Sequence, residues 1–170
     1  MEKAKVIVGI DPGWKNLGIA LLSVNTDSSL TFVSSKTYNP SSYVNLNEFI
    51  SALKKEFLLD YDVQTAHIER YVPYAGTFTS ESENVNQIIG ALSFYLIDAY
   101  SCPIRLSRVI DWKKKLVKEL YKSKGFSNPS TSLDKKFSMA AAKACVDLSS
   151  CGKITDHEAD AICLAFSITL

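Results

Sequence analysis

A chain of 170 residues, 46% apolar and 22% charged, is long enough to fold as one domain that buries roughly two-thirds of its unfolded surface. Its four cysteines, Cys102, Cys145, Cys151 and Cys163, form no CxxC pair, which argues against a zinc ribbon or a disulfide framework. No run approaches 18 apolar residues and MEKAKVIVGID is unlike a signal peptide, so the expectation is a soluble, intracellular protein of the cytoplasm.

The formal net charge of +1 conceals a division. Arg105 to Lys143 carries 11 Lys/Arg against 3 Asp/Glu, while the remainder carries 8 against 15. That polarity suits a protein that attracts phosphate with one part and holds cations with another.

Residues 5–10 and 17–24 are short apolar, β-favouring runs split by Pro12-Gly13, and LTFVSSKTY (30–38) continues in the same style, so the pattern predicts a three-strand antiparallel meander. Asn45 and Glu48 match a capping box, and Leu46, Phe49, Ile50, Leu53 and Phe57 recur at helical spacing, predicting a helix of about 12 residues. QTAHIERY (64–71) reads as a strand ending in polar residues, and YVPYAGTFTS as a loop. Ser80 with Glu83 predicts the next helix start. Val85, Ile88, Ile89, Leu92, Leu96 and Ala99 mark one face of that helix, widened by Phe94 and Tyr95 beyond what covering one sheet face requires.

PIRLS (103–107) resembles a fifth strand. It precedes a basic helix from about Asp111 to Lys122 with Lys113, Lys114 and Lys115, the polar linker KSKGFSNPSTS, and an alanine-rich helix from Leu133 to about Val146 with Lys135 and Lys136. Thr155 and Glu158 form a last capping box, starting a helix at Asp156 with Ala159, Ile162, Cys163 and Phe166 facing inward. No repeat or second domain is visible, and the element order predicts one α/β domain over 1–170 with a mixed sheet.

Two carboxylates end predicted strands, Asp11 before a Pro-Gly turn and Glu69 before a loop. Such acids are costly unless turn-forming, paired or metal-bound. In TDHEADAICLAF, Asp156, His157 and Asp160 project to one side of a helix start, where the dipole favours ionised carboxylates. Acids from separate elements can hold two Mg²⁺ ions about 4 Å apart, the arrangement that hydrolyses phosphodiesters.

GIDPGWKNLGIA resembles the opening motif of RuvC-type Holliday junction resolvases, and IERY, NQIIGAL and DHEADAICLA resemble later motifs of that family in the same order. The resemblance implies a ribonuclease H-like fold: a five-stranded mixed sheet, part meander and part parallel, flanked by helices. It also implies a homodimer that nicks four-way DNA junctions symmetrically, using Mg²⁺ with Mn²⁺ as a substitute. The implied catalytic and metal-binding residues are Asp11, Glu69, His157 and Asp160. Many relatives have Asp where His157 stands, which puts Asp156 in play as a substitute ligand. Implied DNA contacts are Lys15, Asn16, Lys113, Lys114, Lys115, Lys135 and Lys136, with Tyr74 as a stacking aromatic. The stripe Val85, Ile88, Ile89, Leu92 and Leu96 matches the helix paired across the dimer axis, while from the residues alone a stripe this wide also fits burial on both sides within one chain.

The alternatives are the shorter YqgF/RuvX-like branch acting on RNA, an inactive junction-binding module, and a sugar-kinase-like phosphotransferase. The last lacks its second Gly-rich motif and the necessary length.

Overall fold

In the computed structural model, which describes residues 3–73, 79–128 and 132–169, the opening runs form the expected meander. The strands β1 (Ala4–Asp11), β2 (Leu17–Val24) and β3 (Leu30–Tyr38) pair antiparallel. Strands β4 (Tyr61–Glu69) and β5 (Ile104–Ser107) add in parallel beyond β1, giving the order β3-β2-β1-β4-β5. The central strand β1 is thus bonded on both edges, and its apolar run is what a strand covered on both faces requires. β4 starts three residues before the expected point, because Tyr61 and Asp62 already pair with Ala4 and Lys5 at the sheet margin, where polar side chains reach water.

Alternation sends successive β1 residues to different layers. Val6, Val8 and Ile10 pack in a core with α1 (Leu46–Leu53) and α2 (Ser80–Tyr100). Ile7 joins the opposite core, built with α3 (Val109–Lys124), α4 (Lys135–Cys145) and α5 (Asp156–Ser167). The Asn45 side chain caps α1 by accepting from the Glu48 N–H, and a wider turn at 54–58 prolongs α1 to roughly the expected length.

At α2 the cap is Thr79 rather than Ser80. Its hydroxyl accepts from the Ser82 N–H, two adjacent hydroxyl residues having competed for the role. Val85, Ile88, Ile89, Leu92 and Leu96, expected at a subunit interface, are instead buried inside the chain. The stripe is wide because α2 lies against both the sheet and α1, so two neighbours cover it. What α2 presents to solvent is Phe94, 72% exposed, and Ile97, 53% exposed.

The helix α5 lies directly on β1 and β2. A Cβ on Gly9 would stand 2.6 Å from the Ala165 nitrogen, and one on Gly18 would strike the His157 carbonyl. Only glycine allows this approach, which seats the start of α5 over the end of β1.

Candidate functional site

Asp11 and Glu69 end two adjacent parallel strands, where Ile10 pairs with Ile68, so the carboxylates emerge side by side at one sheet edge. Asp11 also pairs with Gly18, beneath the His157 backbone. Thr155 caps α5 by accepting from the Glu158 N–H, and the first turns of that helix deliver His157 and Asp160 to the two strand ends.

The imidazole N–H at His157 Nδ1 donates to Asp11 Oδ2 at 2.7 Å. That bond is the main reason the His157 pKa rises above its ordinary value. Burial pushes the Asp11 pKa up, opposed by the His157 bond and reinforced by the charge of Asp160. Burial, with the charges of Asp11 and Asp160 adding to it, takes Glu69 up to about 7, against the opposing effects of Trp112 and Lys113. Three acids therefore sense one another in a poorly solvated place.

Two consecutive residues of α3 brace this cluster. Trp112 Nε1 donates to Glu69 Oε2 at 2.9 Å. Lys113, only 5% exposed, places Nζ 2.9 Å from Asp160 Oδ1 and donates to Ser138 Oγ of α4 at 3.0 Å. Asp160 Oδ1 is buried, and this ion pair is its contact there: it accepts no hydrogen bond from a described residue. The oxygen-rich donor set with one imidazole is that of a hard divalent cation. Among the described residues, no three such side chains already converge on one point that would hold an ion.

Lys113, implied as a DNA contact, does not stand on the exposed face of α3 with Lys114 and Lys115: its stem is packed in the core beside Trp112 and Phe137, which leaves its charge inside the site. Asp156 feels the charge of His157 but is engaged by a lysine outside the cluster. It accepts from Lys135 Nζ at 2.5 Å, and that contact holds its pKa below the ordinary value. Lys114, Lys115, Lys135 and Lys136 are exposed on α3 and α4. Lys15 and Asn16 are exposed at the β1–β2 turn, where Lys15 pairs with Glu81 at 2.9 Å. Both line an open cleft of about 240 Å³ that also includes Trp14, Tyr71 and His157. Tyr74 lies outside the described residues.

Sequence reasoning missed Trp112 and Ser138. The available signal for the first was a tryptophan beside a lysine on an otherwise polar helix. Ser138, one hydroxyl in an alanine-rich helix, offered none.

No family model and no curated protein matches this chain by sequence. Among solved structures it is similar to T. thermophilus RuvC in complex with a Holliday junction substrate, with 18% identity over 95% of this chain and 91% of that one, and a TM-score of 0.67. It is also similar to the yeast mitochondrial Holliday junction resolvase Ydc2, with 16% identity, 98% and 78% coverage, and a TM-score of 0.57. A third similar structure is the fowlpox virus resolvase with junction DNA, with 12% identity, 95% and 97% coverage, and a TM-score of 0.52. The chain has the RuvC-type, ribonuclease H-like fold, as its meander-plus-parallel sheet and flanking helices indicate.

Proposed function

We propose that this chain is a divalent-metal-dependent DNA endonuclease that resolves four-way junctions by paired, symmetric nicks, with Mg²⁺ as its working cation and Mn²⁺ able to substitute. One observation carries the reading: Asp11 and Glu69 end neighbouring parallel strands and both feel the charge of Asp160 on α5, in a fold similar to that of three junction resolvases. Burial together with neighbouring negative charge raises Asp11 and Glu69, and a bound cation relieves both.

Asp11, Glu69 and Asp160 would hold the cations, with His157 as the fourth ligand; Asp156, engaged by Lys135, is the weaker candidate. Asp11 is bonded by His157 and Asp160 is paired with Lys113, contacts that an ion would share or displace on binding. When bound, two such ions supply a nucleophilic water and neutralise the leaving oxygen. Trp112 fixes the Glu69 carboxylate, and Lys113 keeps a desolvated positive charge where the scissile phosphate gains negative charge. His157 holds Asp11 and lines the cleft next to Lys15 and Asn16, which would meet the DNA strand. The exposed lysines Lys114, Lys115, Lys135 and Lys136 supply backbone attraction.

A homodimer suits a two-fold symmetric junction, and the solvent face of α2, with Phe94 and Ile97, supplies the apolar surface for it.

The test is incubation of the purified protein with an end-labelled immobile junction, with and without Mg²⁺ or Mn²⁺. Paired nicks at symmetric positions, dependent on the metal, are expected. No nicking with either metal, or equal cutting of linear duplex, would overturn the reading.

A further inference from the structure

We propose that Glu158 is a positioning residue of this site: its carboxylate ties the first turn of α5 to the edge strand β3 and so keeps His157 and Asp160 over Asp11. The inference rests on the nuclease reading above. Glu158 lies between the two candidate ligands in sequence, yet its side chain leaves the cluster. Oε2 accepts from Ser35 Oγ at 2.7 Å, and Oε1 accepts from Thr37 Oγ1 at 3.0 Å and from Thr155 Oγ1 at 3.2 Å. The Thr37 and Thr155 hydroxyls are 2.6 Å apart, and Thr155 Oγ1 also accepts from the Glu158 N–H at 3.1 Å.

In a capping box the glutamate serves only its own helix start. Here both oxygens are taken by hydroxyls, two of them on a strand more than 100 residues away in sequence. Ser35 and Thr37 are alternate residues of β3, so they share the face that looks toward α5. The register gives the clamp its leverage. Thr37 pairs with Gly18 and Gly18 with Asp11, so one row across three strands holds the clamp at one end and the catalytic acid at the other. In the middle of that row the His157 backbone rests on Gly18, so close that a Cβ there would strike its carbonyl. The hydroxyl–carboxylate bonds fix the first turn of α5 sideways against β3 at that close approach. A carboxylate is suited to this because it is purely an acceptor and meets several hydroxyl donors at once.

The experiment compares the full chain with Glu158→Ala, Glu158→Gln and the double variant Ser35→Ala/Thr37→Val. It measures single-turnover junction cleavage, junction affinity and amide hydrogen exchange. In Glu158→Ala the cleavage rate should fall about 30- to 100-fold, the scale of an ångström-sized misplacement, with junction affinity within about threefold of wild type. Exchange should quicken at residues 157–160 and stay unchanged in the last turns of α5. The double variant should reproduce the loss, adding Glu158→Ala to the double variant should lower the rate no further, and Glu158→Gln should recover part of the rate. Cleavage by Glu158→Ala within about threefold of wild type would overturn the proposal. So would a loss that the double variant does not share, or one that tracks lost affinity and global unfolding. If the wild type itself does not nick, the nuclease reading fails separately. Exchange then still decides the clamp: faster exchange confined to residues 157–160 upholds it, and unchanged exchange removes it.

Discussion

Replacing Gly9 by alanine forces a conflict between β1 and α5 that the structure lets one size. The new Cβ would lie 2.6 Å from the Ala165 nitrogen and nearer still to the Ala161 carbonyl, whereas ordinary contact begins at 3.4 Å, so the helix must lift by at least 0.8 Å (3.4 minus 2.6). The strand cannot yield instead, because β1 is hydrogen-bonded on both edges. Overpacking of this kind costs about 1–3 kcal/mol, which in a domain of this size lowers Tm by roughly 3–10 °C. The same lift carries Asp160 and His157 away from Asp11, and a displacement near 1 Å is worth about 100-fold in rate. Thermal unfolding by circular dichroism and junction cleavage on the same samples measure both effects. Gly152→Ala is the control, since nothing lies within 4 Å of its Cβ and it should stay within about 0.5 kcal/mol of wild type. A Gly9→Ala protein with unchanged Tm and full activity would refute the close-approach argument.

Buried His67, its Nδ1–H donating to the Leu164 carbonyl at 3.0 Å, is held neutral by burial down to about 4. The unfolded chain protonates that imidazole near 6.5, so its stabilisation is complete above 6.5 and is lost as pH falls toward 4, worth about 3 kcal/mol. Urea titrations across that window should show a flatter dependence for His67→Asn than for wild type; parallel curves would refute it. Glu69 behaves oppositely: the folded state keeps a proton that the unfolded chain releases near 4.5, so this group's contribution falls as pH rises from there to about 7. Mg²⁺ should therefore raise Tm more at pH 8 than at pH 6, reversibly with chelator, and equal shifts would contradict a role for Glu69 in holding the ion. Phe94→Glu should convert a sedimenting dimer to monomer; a wild type that is already monomeric on junction DNA removes the dimer.

The meander and the helix starts were legible because alternation, Pro-Gly and capping residues are local signals. Asp11 and Glu69 could be picked out because charge at the end of an apolar run is visible in one dimension, and Asp160 because helical spacing puts it on one side of a helix start with Asp156 and His157. Layer assignment was not. The stripe from Val85 to Leu96 reads identically whether a second subunit or the chain's own α1 covers its edge, and only the fold shows the latter. Lys113 reads as one of three consecutive lysines, yet its helical phase turns it inward with Trp112 on one side and Ser138 on the other. Glu158 reads as a helix cap, because its partners Ser35 and Thr37 are brought near only by the sheet register.

The metal-site assignment meets its most direct measurement in Asp11→Asn and Asp160→Asn, each assayed for junction binding by gel shift and for Mg²⁺-dependent nicking. Because the exposed lysines of α3 and α4 are untouched, both variants should bind the junction within about threefold of wild type while nicking becomes undetectable. Nicking at the wild-type rate by both variants would contradict the assignment.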